Sequence, residues 1–513
     1  MPSDISKVVH TLRRGFVEGA LKTIESRKCA IQNILALLLE NEESIIKALE
    51  KDLHRCRTEA IMADVDTSVG EAKIMLSSAD LWLQEESVPA SFITLLDKVT
   101  IQRQPYGVVL IISPWNFPFV LAFQPLIGAI AAGNTVLLKP SEMTPACSQL
   151  ISGLIPKYLD ESICQVICGD GGVCKQILET QRFDFIFYTG GTTIGREVYV
   201  AAAKQLTPIV LELGGKCPVY IDSDVSLDVA VKRIVYSKLL NCGQICVAAD
   251  YVLCHEKIVS VFKEKVEETI MQFLGDNPQN SPDYARIINV RHFQRLTGLL
   301  KQTKGKVVIG GMSDANDNYI APTVVLDIDE EDILMQDEIF GPILPVLSVK
   351  SPSDAIRIIN SKKPKTVMRH KYLSPLVPVI IVVRPFSFIK ILHIIPLYPW
   401  FREKPLAIYV FTRNKSLFND FKMGTSSGAI MMNEWSVHFL IPNIPFGGVG
   451  HSGIGNYHGR YSIETFSHRR PVILKSEIEY INNKIRYYPY TESGLSWLRW
   501  SLKKPDRNGC HIL

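Results

Sequence analysis

The sequence predicts an α/β protein built on parallel sheets with helical crossovers, and three observations predict it. Short β-rich runs at 108–112, 135–138, 185–188 and 209–211 alternate with helical stretches, the pattern of strand, crossover and strand. A helical lead-in covers 4–85, with Ile5, Val8, Val9, Leu12 and Phe16 on one stripe and Ile34, Leu35, Leu38 and Leu39 on another. The turn Thr189-Gly190-Gly191-Thr192-Thr193-Ile194-Gly195-Arg196 joins the third run to a helix, where backbone N–H groups and the helix dipole can receive a diphosphate.

Composition sets the class. With 513 residues, 47% hydrophobic and 21% charged, the chain has the profile of a soluble globular protein of two or three domains. A formal charge of +4 is too small for a broad nucleic-acid-binding face, so no nucleic-acid partner is expected. The eleven cysteines are scattered, and Lys7, Arg13, Arg14, Lys22, Arg27 and Lys28 interrupt any leader-like apolar run. A reducing compartment is expected. Cys164 and Cys168, like Cys242 and Cys246, are four apart. No second pair with zinc-ligand spacing lies near, so no metal is expected.

In parallel sheets, ligands gather at the carboxyl ends of strands, so the residues following each run are the candidates. After 108–112 comes Ser113-Pro114-Trp115-Asn116-Phe117-Pro118. Asn116 on this proline-flanked loop can donate its amide to a developing oxyanion; the alternative is a loop Asn bonded to its own backbone. After 135–138 stand Lys139 and Glu142, able to bind ribose hydroxyls or a 2′-phosphate or to form a solvated pair. The glycine turn from Gly190 to Gly195 is a nucleotide loop or a plain turn. Glu212 lies between Leu211 and Leu213, an apolar setting that raises a carboxyl pKa and suits a general base; pairing with Lys216 is the structural alternative.

Cys246 closes the run Leu239-Leu240-Asn241-Cys242-Gly243-Gln244-Ile245-Cys246, and Glu338-Ile339-Phe340-Gly341-Pro342 follows at a distance. A lone apolar cysteine is usually inert packing. Here it accompanies a carboxylate and a nucleotide loop, which together are the parts of covalent catalysis.

These motifs, with Pro445-Phe446-Gly447-Gly448-Val449-Gly450-His451-Ser452-Gly453, Tyr457-His458-Gly459 and Thr465-Phe466-Ser467-His468-Arg469-Arg470, make the chain resemble the aldehyde dehydrogenases, class 3, most like the member B branch. The resemblance runs over nearly the whole chain. It implies a Rossmann-like NAD(P)-binding domain, an α/β catalytic domain and a small β bridging element for homodimerisation. It also implies Cys246 as nucleophile, Asn116 as oxyanion donor, Glu212 as general base and Gly190, Gly191, Thr192, Thr193, Ile194 and Gly195 as the dinucleotide loop. Glu338 would approach the nicotinamide ribose and Phe340 the ring, with Glu338 a second candidate base. The implied reaction is thiolate attack on an aldehyde, hydride transfer to NAD or NADP, and hydrolysis of a thioester to the carboxylate.

Domain bounds are expected at 1–211 (lead-in and cofactor domain, with part of the bridge near 98–106), 212–430 (catalytic), 431–475 (bridge) and 476–513 (tail). In the family a helix like 353–360 leads almost directly into a strand like 406–411. Here about 365–404 intervenes, apolar and studded with Pro375, Pro378, Pro385, Pro396 and Pro399, far beyond a normal loop. Its longest uncharged stretch, 372–383, is too short to cross a bilayer. A translated extra exon that weakens folding and activity and a membrane- or partner-facing insertion are the two readings, the first preferred. Smaller departures are Gly191, Cys217 and Ala249.

The ending Cys510-His511-Ile512-Leu513 has the form of a prenylation box, with Arg499, Lys503, Lys504 and Arg507 upstream as a second, electrostatic signal. The expectation is an enzyme at the cytoplasmic face of membranes and in the cytoplasm, acting on medium- to long-chain, lipid-derived aldehydes. A disabled membrane-associated form and a cofactor-free cysteine esterase are the rivals.

Overall fold

The computed structural model describes residues 5–89, 97–361, 403–475 and 487–502. The 365–404 segment, except its last two residues, and Cys510 lie outside the described residues.

The lead-in folds as helices Ile5–Glu18, Ile24–Glu40, Glu42–Leu53 and Thr67–Trp82, the last entered through a π-helical turn, Ala60–Asp66. Thr23 caps the second helix by accepting the Ser26 N–H at 3.1 Å. Ile5, Val8, Val9 and Leu12 are buried beneath the strands Val108–Ile112 and Thr135–Lys139. Phe16 is only half-buried, and Gly15 takes the inner position, where a Cβ would lie 2.2 Å from the Ser162 carbonyl oxygen. On the second helix Ala30, Ile31, Ile34, Leu37 and Leu38 face inward. Leu39, expected inside, is 52% exposed, because a 3.6-residue period carries the position after Leu38 round to the solvent side.

The first sheet runs Gly453–Ile454, Ile209–Leu213, Phe185–Gly190, Val108–Ile112, Thr135–Lys139 and Cys164–Val166 in space. All its pairs are parallel except the short edge strand, where Gly453 opposes Glu212. Val108–Ile112 and Thr135–Lys139 are buried at every position, as strands covered on both faces must be.

The second sheet runs Lys306–Ile309, Thr323–Leu326, Ile343–Val349, Tyr251–His255, Pro218–Ile221, Ala407–Phe411 and Ala429–Met432, parallel apart from Lys306–Ile309. The helix predicted at 353–360 is Pro352–Ser361, and the Ser351 hydroxyl accepts the Asp354 N–H at 3.2 Å. A ribbon of Glu86–Ser87, Lys98–Pro105 and Ser467–Leu474 completes the fold.

Ile209–Leu213 lies wholly in the first sheet, its pairing continuing past 211 to Gly190 opposite Leu213. Within 431–475 only Ser467–Leu474 joins the ribbon, since Gly453–Ile454 returns to the first sheet.

Candidate active site

The carboxyl ends of the first sheet and the amino ends of the second enclose one cleft of about 680 Å³. Asn116 follows Val108–Ile112, Gly191 follows Phe185–Gly190, and Glu212 closes Ile209–Leu213. From the opposite side Cys246 precedes Tyr251–His255, while Glu338 and Phe340 precede Ile343–Val349. All six line the cleft. A second, apolar pocket reaches Cys246 and Glu212 from the other side, lined in part by Met62, Phe117, Trp435 and Phe439. Cys246 therefore stands where a polar and an apolar chamber meet.

The turn before the thiol is unusual. Asn241 and Cys242 have φ of 49° and 54°, and Gly243 follows at 70°. Left-handed backbone costs a non-glycine residue roughly 1–2 kcal/mol, so surrounding bonds must hold it. The Asn241 amide donates to the Asn116 and Gln244 carbonyls at 2.9 and 3.3 Å. Gln244 donates to the Asn241 and Arg286 carbonyls and accepts the Ile288 N–H at 3.0 Å. Beyond the thiol, Tyr409 Oη and Trp435 Nε1 both donate to the Val247 carbonyl, at 2.6 and 2.8 Å. Sequence reasoning missed these two anchors. The available signal was a tyrosine in the otherwise apolar strand Ala407–Phe411, whose buried hydroxyl needs a partner.

Burial pushes the Cys246 thiol up to about 12, with the Glu338 and Glu212 carboxylates adding like-charge repulsion. The N–H groups of Cys246 itself and of Val247 oppose this by donating to the sulfur. Asn116 donates its amide to the Gln244 carbonyl at 3.0 Å. That bond crosses to the cysteine loop rather than back to Asn116's own backbone, and one amide N–H is left for the cleft.

Glu212 is buried, and neither carboxylate oxygen has a hydrogen-bond partner. Burial alone holds its pKa well above the ordinary range. The suggested pairing with Lys216 is not formed, because Lys216 donates instead to Asp250 at 2.5 Å and to the Asp337 carbonyl. Glu338 is pushed up to about 8 by burial and then by Asp250, although it accepts the Gly215 N–H. Its Oε1 is unpartnered. Gly214 makes room for it, since a Cβ there would lie 2.1 Å from Glu338 Oε2.

The glycine turn fits a dinucleotide. Helix Thr192–Lys204 starts at Gly191 with no side-chain cap, leaving first-turn N–H groups for an anion. Nothing lies within 4 Å of where a Gly191 Cβ would stand. The buried Thr189 hydroxyl has no partner, and Arg196, Lys216, Arg295 and His451 line the same cleft. Two loop residues depart from expectation. Ile194 is 49% exposed and Gly195 packs beneath the helix, where a Cβ would meet Leu213 at 2.6 Å. Neither lines the cleft, because the third helical position faces outward and the glycine serves close helix–strand contact. Lys139 and Glu142 bond each other at 2.9 Å and also stand outside the cleft lining; Lys139 is 4% exposed, so the pair is not a freely solvated one.

Comparison with known proteins agrees with this geometry. The model of the "Aldehyde dehydrogenase family" matches residues 2–364 and 403–472, leaving unmatched nearly all of the segment expected as an insertion. Aldehyde dehydrogenase family 3 member A2 of Pongo abelii is 41% identical over 97% of this chain and 93% of its own. Family 3 member B1 of Rattus norvegicus is 40% identical over 96% of each, so the chain is about equally similar to both branches. The substrate-bound structure of Staphylococcus aureus AldH superposes with a TM-score of 0.87 at 34% identity, covering 98% of this chain and 100% of that one. The Mycobacterium tuberculosis aldehyde dehydrogenase complexed with NAD+ gives 0.77 at 25%, covering 93% and 91%. The chain belongs to the aldehyde dehydrogenase family, within its family 3, and oxidises aldehydes to carboxylates with NAD or NADP.

Proposed function

We propose that Cys246 is the nucleophile of this reaction, acting on medium- to long-chain aldehydes whose tails lie in the apolar pocket. The observation that carries the reading is the position of the thiol at the junction of the two chambers, with the unpartnered Glu212 carboxylate lining both. The Cys246 sulfur attacks the aldehyde carbon, and the carbonyl oxygen takes up negative charge between the free Asn116 amide N–H and the Cys246 N–H. Glu338, the carboxylate most strongly coupled to the sulfur, receives the thiol proton. A dinucleotide held along Gly190–Thr193 supplies the acceptor for the hydride that leaves the Cys246-bound carbon. Glu212 then takes a proton from the water that cleaves the resulting thioester, a task suited to a buried carboxyl with a raised pKa.

A series of straight-chain aldehydes tests the substrate class. Each methylene buried in an apolar pocket is worth about 0.8 kcal/mol, so kcat/KM is expected to climb severalfold per carbon from propanal until the pocket is filled. A flat profile would assign the tail to solvent.

Attachment to the cytoplasmic face of membranes through Cys510, and pairing as a homodimer, belong to the same proposal. Helix Glu492–Leu502 exposes Leu495, Trp497 and Trp500 to 41%, 45% and 48%, residues suited to a lipid headgroup boundary. Ser467–Leu474 is an edge strand, paired on one side only among the described residues, and so open to a second copy. Cys510→Ser is expected to move the protein from the membrane pellet to the supernatant and to leave it sedimenting at twice the chain mass. Retention in the pellet would refute the anchor, and a monomer would refute the pairing.

A further inference from the structure

The segment from Asn116 to Val120 is bound at both ends by two fully buried side chains of the lead-in. Arg55 and Asp64, 1% and 0% exposed, form an ion pair. Arg55 Nη2 donates to the Asn116 carbonyl oxygen, and its guanidinium lies over the Phe117 ring, 4.5 Å from the centroid. Asp64 Oδ1 accepts the N–H groups of Phe119 and Val120 at 3.0 and 2.9 Å. The same region reaches the cysteine loop, where Glu59 accepts the Asn241 N–H at 3.1 Å. Asn241 is the second donor to the Asn116 carbonyl, at 2.9 Å. Asp64 sits in the π-helical turn Ala60–Asp66, a device that proteins use mostly at functional sites.

We propose that Arg55 and Asn241 are positioning residues which, by converging on the Asn116 carbonyl, hold the Asn116 amide in line with the aldehyde oxygen; the inference rests on Asn116 being the oxyanion donor. The two bonds hold the 116–117 peptide plane to which the Asn116 Cα is attached, and so limit how far its side chain can shift. A guanidinium can serve Asp64 and the carbonyl at once because its donors are spread in a rigid fork. A lysine ammonium on a shorter reach cannot duplicate that geometry. An ångström of misplacement at a reacting group costs on the order of 10²-fold in rate.

The test is a cycle of Arg55→Lys, Asn116→Ala and the double variant in the full-length enzyme. The readouts are kcat/KM with hexanal and NAD, and the rate of Cys246 alkylation by iodoacetamide, which needs no oxyanion donor. Asn116→Ala is expected to lower kcat/KM by about 10²–10³-fold. Arg55→Lys should lower it by about tenfold or more with Asn116 present, add nothing in the Asn116→Ala background, and leave alkylation within about twofold. If Asn116→Ala is silent, the oxyanion assignment falls and the positioning role with it. If Asn116→Ala is damaging while Arg55→Lys is silent, or costs as much in both backgrounds, or slows alkylation in parallel, the positioning role alone falls. Should Arg55→Lys not fold, Asn241→Gly, which keeps the left-handed turn favourable, replaces it with the same expected dependence on Asn116.

Discussion

Cys246→Ala is expected to abolish NAD-dependent aldehyde oxidation, with kcat/KM falling by at least about 10⁴-fold, the scale on which removal of a covalent nucleophile acts. The protein should keep its fold, because Cys246 is only partly buried and other side chains anchor the turn that carries it. That turn is held by Asn241, Gln244, Tyr409 and Trp435. Neighbouring Cys242 is fully buried, so Cys242→Ala should leave turnover nearly intact and disturb stability instead. Growth of nicotinamide absorbance with hexanal measures both. Appreciable oxidation by Cys246→Ala would reassign the nucleophile.

Glu212→Gln is the second large effect. A base that acts only on the thioester leaves its formation intact, so the variant should release about one equivalent of reduced nicotinamide per site in the first turnover. It should then slow by on the order of 10²–10⁴-fold. Glu338→Gln should behave differently. It removes the strongest like-charge neighbour of the thiol, so alkylation of Cys246 at pH 9 is expected to quicken even as the first turnover slows. In the native enzyme Glu338 accepts a proton only as a carboxylate, and its pKa is pushed up to about 8. Activity should therefore rise with pH through about 8 and be lost below it, and Glu338→Gln should flatten that step. A one-equivalent burst in Glu338→Gln and not in Glu212→Gln would exchange the two roles.

Much of this was legible in the sequence, for identifiable reasons. Parallel strands buried on both faces read as unbroken apolar runs, so Val108–Ile112 could be placed residue by residue. Glu212 betrayed itself by standing in such a run. What the sequence could not supply were relations between distant segments. Nothing near Lys216 announces that Asp250 takes its charge. Nothing in the lead-in announces that Arg55 reaches Asn116, since a helical period records which face is buried and not which polar group the buried face must satisfy. The glycine turn shows the same limit. Gly191 and Gly195 look equivalent in a motif, yet one opens onto the cleft and the other lets a helix lie against Leu213.

The meeting of two chambers at Cys246 bears on how the product leaves. A neutral aldehyde head with an alkyl tail distributes favourably into the oily side, but the reaction converts that head into an anion at the boundary itself. An ionised carboxylate cannot follow its tail back into a dry apolar pocket without a penalty of several kcal/mol, whereas the cleft offers it water and the cations Arg196, Lys216 and Arg295. Chemistry thus changes the partition coefficient of the molecule it acts on, and the direction of exit is set by the charge that catalysis has just created.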